Sequence, residues 1–299
     1  MEIKKNVALA EYTSWLVGGS AEFFCLPENE ADVREAMQWA HEQKHAVTLF
    51  GGGTNVLISD KGIRGLVICL RKFSGVESKE VEGRLEITAL AGTGKSELLK
   101  IFLKNKLPPA LFLAGLPGDV GGGVVMNAGV AEAYVPREFV EIIDWIEVLR
   151  FEVDTFTTHR FTKDQLHWEY RHSKGWQPGV ITRVGMSWPL QQADASILEQ
   201  VRSANKIRLS KQPLDMPSCG SVFQNPPGHK AAQLIDSCGL KGFTVGEAQV
   251  SLKHANFIVN LGEAKALDMW QVIEHVRETV KKIKNVDLHT EVIRLGEWT

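Results

Sequence analysis

The sequence predicts a protein of mixed helix and strand with an α/β opening. Three observations carry this: strand and helix signals alternate through the first hundred residues, period-two alternation follows near residue 140, and amphipathic helical patterns occupy the C-terminal part. In chain order, "AEFFCLP" reads as a strand ended by Pro27. "ENEADVREAMQWAHEQ" reads as a helix with an acidic first turn and Val33, Met37, Trp39 and Ala40 at helical spacing. "AVTLF", "NVLIS" and "GLVICL" read as strands, the first two separated by three consecutive glycines. "RLEITALAG" is the next strand and "KSELLKIFLKN" the next helix, with Leu98, Leu99, Phe102 and Leu103 on one side. "EIIDWIEVLRFEVDTFTTHRFT" alternates as antiparallel strands do, and "ILEQVRSANKIRLSKQP" and "KALDMWQVIEHVRETVKKIKN" are helical. No repeat or low-complexity linker divides the chain, and the best boundary falls near residues 190 to 200.

A chain of 299 residues with 44% hydrophobic residues has material for two domains, or three small ones. Its 34 basic and 36 acidic residues nearly cancel, which excludes a bulk electrostatic role on nucleic acid or an acidic membrane. The N-terminus lacks a sustained apolar signal region, and no stretch approaches the roughly 18 apolar residues of a spanning helix, so a cytoplasmic protein is expected. No obligatory protein partner is evident. Cys25, Cys69, Cys219 and Cys238 are widely spaced without a CxxC pair, a pattern of reduced core thiols. His41 and His45 have a spacing that can hold zinc, but at a helix end with no third ligand nearby they read as dipole-completing residues, and no metal is expected.

Three glycine sites invite a functional reading. "GGGTN" (51–55) lies between two strands, where bare backbone N–H groups can gather around an anion; a tight structural turn is the plain alternative. "ALAGTGKS" (89–96) sits between strand and helix like a P-loop for ATP phosphates, but Ala89 replaces the first glycine and no Walker B run follows. Lys95 and Ser96 therefore read as the exposed start of a helix. "AGLPGDVGGGVVMNAG" (114–129) spends six glycines in sixteen residues, an ordering cost that a plain loop has no reason to bear. Paired with "GGGTN", it suggests two backbone-lined walls around one large phosphate-bearing cofactor.

"GGGTNVLISDKGIRGLVI" resembles the G-G-G-[ST]-N-x-L-x-x-D-x-G-x-x-G-x-V-I stretch of the UDP-N-acetylenolpyruvoylglucosamine reductase family, flavoenzymes of peptidoglycan precursor synthesis. "AGLPGDVGGGVVMNAG", "EYRHS" (169–173), "QPLDMPSCGSVFQNP" (212–226), "HANFIVN" (254–260) and "HTEVIRLG" (289–296) resemble five further family segments in the family's order. The chain has no room for the insertion that carries a substrate-capping tyrosine, so it is similar to the shorter type. "SWLVGG" places Leu16 where relatives commonly carry a basic residue, and Lys95 lies where they usually lack a lysine.

The resemblance implies an FAD-binding unit of the vanillyl-alcohol oxidase-like (PCMH) type with two α+β subdomains, and an α+β substrate-binding domain. Residues 1–70, completed by strand 289–299, would form the first subdomain, 71–195 the second and 196–288 the substrate domain. It further implies reduction of UDP-N-acetylglucosamine enolpyruvate to UDP-N-acetylmuramate, with NADPH as the hydride-donating cosubstrate. For FAD it implies Gly51, Gly52, Gly53, Thr54 and Asn55 on one wall, and Gly115, Gly118, Gly122, Gly123, Asn127 and Gly129 on the other.

For catalysis the resemblance implies Arg171 on the substrate carboxylate, Ser221 as proton donor and Glu291 as stabiliser of the enolic intermediate. Taken alone, these three would read as a surface ion pair, a turn serine and a strand-edge carboxylate. Lys211 and Asn225 are implied as substrate contacts, the first at the UDP diphosphate. Cys219 has no partner base in sequence and reads as a packed thiol. Another FAD-dependent oxidase or dehydrogenase on the same scaffold would keep the glycine sites without needing "SCGSVFQNP", Arg171 and Glu291. A silent flavin-binding protein would have no use for the full catalytic set.

Overall fold

A computed structural model of the chain describes residues 1–130, 136–152 and 155–298, which form two compact units of mixed helix and strand. The first unit comprises Met1–Ile3, Cys25–Gly52 and Val67–Ile207. Its centre is a five-stranded antiparallel sheet in the order Val76–Val81, Arg84–Leu90, Val180–Pro189, Ile143–Glu152 and Thr155–Thr162. The registers Met186↔Ile87 and Val184↔Ile146 set buried apolar side chains from neighbouring strands opposite one another. Val180–Pro189 is buried over most of its length between two partners, and its apolar and polar residues do not alternate, so it shows no period from which a strand could be read.

Three helices of this unit matter for the site. Lys95–Lys104 buries Leu98 and Phe102, with Pro109–Leu113 following it. Val120–Val125 begins at Asp119, whose carboxylate accepts from the Gly122 N–H. Helix Glu30–Glu42 is capped by the Asn29 side chain, which accepts from Asp32 N at 3.0 Å, and buries Val33, Ala36 and Ala40. His41 meets the edge of the Phe151 ring, and His45 stacks on Trp39.

The second unit comprises Lys4–Phe24, Gly53–Leu66 and Arg208–Thr299. Its strand Val56–Ile58 pairs in parallel with Ile293–Leu295, and Thr244–Val245, Ala248–Val250 and Ile258–Asn260 form a three-stranded antiparallel sheet. Helix Ala266–Lys284 lays Met269, Val272, Ile273, Val276 and Val280 into a core shared with Trp15, Leu57, Val222, Phe223 and Ile258. Asp60 from the glycine motif starts that helix: its two carboxylate oxygens accept from Ala266 N and Leu267 N, each at 2.9 Å. Trp15 Nε1 donates to Ile258 O at 2.7 Å, and Asn260 Nδ2 returns a bond to Trp15 O at 2.9 Å. Leu16 beside it is exposed, with a left-handed φ of 57°. No helix among the described residues is long and apolar enough to cross a membrane.

Candidate functional site

In the first unit the turn after Val47–Phe50 and the loop before Val120–Val125 meet through one side chain. Asp119, 6% exposed, accepts a very short hydrogen bond from Gly52 N and another, at 2.6 Å, from Gly122 N. Two glycine amides from segments far apart in sequence thus converge on a single anionic point. A Cβ on Gly52 would lie 3.3 Å from that carboxylate and 3.4 Å from Gly118 Cα, and Gly51 has no room for one at all. Cys69 Sγ donates to Gly51 O at 3.6 Å, and Arg71 Nη2 to Gly52 O at 3.2 Å. With both amides taken by Asp119, what this point offers a diphosphate-bearing cofactor is close approach over bare backbone at Gly52 and the exposed Gly122, with the Arg71 guanidinium beside it. Sequence reasoning missed Asp119 and Arg71; the D-x-x-G spacing of a helix cap was the signal for the first.

The other glycines of the second wall serve packing. Gly123 lies under Phe139, where a Cβ would come within 2.8 Å of the ring, and Gly129 lies against Arg137 O and the Arg171 guanidinium. Gly115 abuts Val130, and Gly118 turns the chain at φ +87°. Asn127 spends its side chain on the protein: Nδ2 donates to Glu138 Oε2 and Glu169 O, and Oδ1 accepts from Val140 N. It braces the loop against the hairpin that carries Arg171.

Arg171 closes the hairpin formed by His167–Glu169 and His172–Lys174. It is 8% exposed, with φ at 60°, a conformation that bulky residues adopt at a cost. Its Nη2 donates to Gly129 O at 2.9 Å, Nη1 lies 3.9 Å from Glu138, and the guanidinium sits over the Tyr170 ring. The arginine is therefore a fixed cation.

Lys95 corrects the sequence expectation of an exposed helix start. It is 4% exposed, its Nζ donates to Pro117 O at 2.8 Å, and it lies over the Phe139 ring. What buries it is the 114–123 loop, folded over the head of the helix. A P-loop lysine faces phosphate; this one faces a carbonyl. Burial pushes its pKa down to about 8, against the opposing pull of Asp119.

The second unit holds the remaining candidates. Gly53 (φ +67°) brings its Cα against Tyr12 O so closely that no Cβ fits, and its carbonyl accepts from Ser14 N. Thr54 follows it, half-buried. Asn55 Nδ2 donates to Glu291 O at 2.8 Å, joining the glycine motif to the C-terminal segment. Glu291 N donates to Val222 O at 2.8 Å, so Ser221 and Glu291 lie on adjoining backbone segments, both half-buried. Asn256, which the sequence reading left without a role, clamps the serine turn: it accepts from Phe223 N at 2.9 Å and donates to Phe223 O at 2.8 Å. Its signal was an asparagine within the apolar run "HANFIVN".

Asn225 Oδ1 accepts from Ala231 N, starting helix Ala231–Ser237, and Lys211 is exposed at the end of helix Ile197–Lys211. Cys219 is buried, and its pKa is pushed well above the usual range by burial first and by Glu291 second, so it is no thiolate nucleophile.

A family model described as "FAD binding domain" matches residues 21–152, and one described as "UDP-N-acetylenolpyruvoylglucosamine reductase, C-terminal domain" matches 212–295. The chain is 38% identical over 298 residues to a UDP-N-acetylenolpyruvoylglucosamine reductase of Synechococcus sp. (strain RCC307), covering 99% of this chain and 95% of that one. It is 38% identical to the enzyme of the same name from Limosilactobacillus fermentum over 297 residues, with 99% and 95% covered. Among solved structures it is similar to UDP-N-acetylenolpyruvylglucosamine reductase from Thermus caldophilus, with a TM-score of 0.75, 32% identity and 99% of each chain covered.

Proposed function

The chain belongs to the UDP-N-acetylenolpyruvoylglucosamine reductase family, and from that membership we propose that it reduces UDP-N-acetylglucosamine enolpyruvate to UDP-N-acetylmuramate, with NADPH as reductant and FAD as bound carrier. The observation that carries this is the match along almost the entire chain, flavin-binding part and reductase-specific C-terminal part together. Residues 1–70 with 289–299, and 71–195, would supply the two flavin-binding subdomains, and 196–288 the substrate domain.

FAD, held at residues 51–55 and along the 114–129 loop, would supply the hydride that the β-carbon of the enolpyruvyl double bond takes up. The chain's own groups must then hold the substrate, carry the charge that grows on its carboxylate and bring one proton to the α-carbon. Arg171 holds the carboxylate; its rigid anchoring to Gly129 supports a preorganised charge that need not rearrange during reaction. Ser221 delivers the proton from its hydroxyl, and the Asn256 clamp on its turn supports fixed delivery. Glu291 polarises the developing enolate, and its backbone link to Val222 supports an action beside the serine. Lys211 and Asn225 contact the substrate, the lysine at its diphosphate.

Anaerobic stopped-flow spectroscopy tests this directly. The flavin bands should bleach with NADPH and return on adding the enolpyruvyl substrate. Return with oxygen alone would overturn the assignment in favour of an oxidase or a silent flavoprotein. Ser221→Ala should keep the bleaching rate and slow reoxidation by substrate at least a hundredfold; equal loss of both phases would refute the serine's role.

A further inference from the structure

Lys95 is a buried ammonium that the proposed chemistry does not use. Removing such a charge from water costs several kcal/mol unless its surroundings answer it. Apart from Phe139, those surroundings belong to the candidate flavin loop. Lys95 N donates to Gly118 O at 3.0 Å and Nζ to Pro117 O at 2.8 Å, so the residue grips both positions before Asp119. Val120 N donates to Thr93 O and Gly121 N to Ala91 O, fastening the following residues to the segment that leads into Lys95. Gly123 leaves the room that the lysine stem occupies: a Cβ there would lie 3.0 Å from Lys95 Cε. Phe139 covers the ammonium at 5.7 Å.

The loop so gripped carries an electrostatic difficulty. Asp119 sets a full negative charge at the two glycine amides, Gly52 and Gly122, that would otherwise be offered to a diphosphate. A carboxylate beside a dianion is repulsive unless a cation stands behind it. We propose that Lys95 is that cation: a positioning residue whose charge lets Asp119 tie the two glycine loops together and still tolerate the diphosphate of FAD beside them. This rests on the flavin reading above and goes beyond it. Lys95 touches neither reacting atoms nor the substrate; it acts through Asp119 and the loop.

Dilution of the purified holoenzyme, with released FAD read by its fluorescence, tests the assignment. Lys95→Met should weaken FAD binding at least tenfold while thermal stability of the flavin-free protein is unchanged or higher, because the charge is costly to bury. Adding Asp119→Asn to Lys95→Met should recover at least half of the lost affinity on a logarithmic scale, a coupling that a purely structural brace lacks. Lys95→Gln, which keeps a donor for Pro117 O, should weaken FAD binding as Lys95→Met does. FAD affinity within twofold of wild type in either single variant overturns the inference. So does weakening that Asp119→Asn does not relieve, or flavin-free protein that unfolds more readily in both single variants. A wild-type chain that holds no FAD overturns the flavin reading and this inference with it.

Discussion

Replacing Lys95 with methionine makes a quantitative statement about stability in the flavin-free protein. In the fold the ammonium has a pKa near 8, against 10.5 for the free side chain. At about 1.4 kcal/mol per pH unit, this gap amounts to a penalty of roughly 3 to 4 kcal/mol when the group is charged. The sign follows from proton counting. Between pH 8 and 10.5 the unfolded chain still holds the proton that the native state has lost, so stability rises with pH through that window; below pH 8 the whole penalty is present. Lys95→Met carries no such penalty at any pH.

Three buried thiols oppose this trend, since Cys25 and Cys69 are pushed up to about 12 and about 11 by burial, Cys219 is raised as well, and all three resist ionising only in the fold. All three remain in the variant, so they cancel in the difference. Urea unfolding followed by tryptophan fluorescence at pH 7, 8, 9 and 10 should show wild type gaining about 2 to 3 kcal/mol on Lys95→Met between the extremes. Parallel pH curves, within about 0.5 kcal/mol throughout, would refute a lysine whose hold on its proton is weakened by burial at this site.

Other outcomes follow from the same geometry. Gly53→Ala drives a methyl group into Tyr12 O from a left-handed backbone and should cost more than about 2 kcal/mol; an unchanged melting temperature would contradict that packing. Asp60→Ala removes the acceptor of two helix-starting amides and should cost about 1 kcal/mol in thermal unfolding, whereas a loss below a few tenths would show that solvent serves those amides as well. Arg171→Lys keeps the charge but loses the planar fork held on Gly129. It should leave flavin reduction by NADPH intact and raise the KM for the enolpyruvyl substrate at least tenfold; steady-state kinetics with an unaltered KM would count against carboxylate binding there.

How far the sequence could be read depended on where each residue's partners lay. Helices Glu30–Glu42, Lys95–Lys104 and Ala266–Lys284 were legible because each buries one stripe, which leaves a 3.6-residue period. Val180–Pro189, the middle strand of the large sheet, was not, since most of its residues are buried whichever face they take. Lys95 illustrates the same limit at the site: a lysine at the head of a helix looks solvated until a loop twenty residues later folds over it. Asp119 lay inside a glycine motif that drew attention to its glycines, while its partner Gly52 stood in another motif altogether. The family, by contrast, was readable from six ordered segments, because order along a chain needs no knowledge of folding.

The second unit is assembled from three stretches of chain, and this has a consequence during synthesis. Strand Val56–Ile58 and the tryptophan at position 15 leave the ribosome well before their partners, Ile293–Leu295 and the Ile258 carbonyl, which follow more than two hundred residues later. At roughly 5 to 20 residues per second, the nascent chain carries an unclosed hydrophobic surface for about ten to forty-five seconds. A chain so arranged has to keep that surface from joining other chains until its own later segment arrives to cover it.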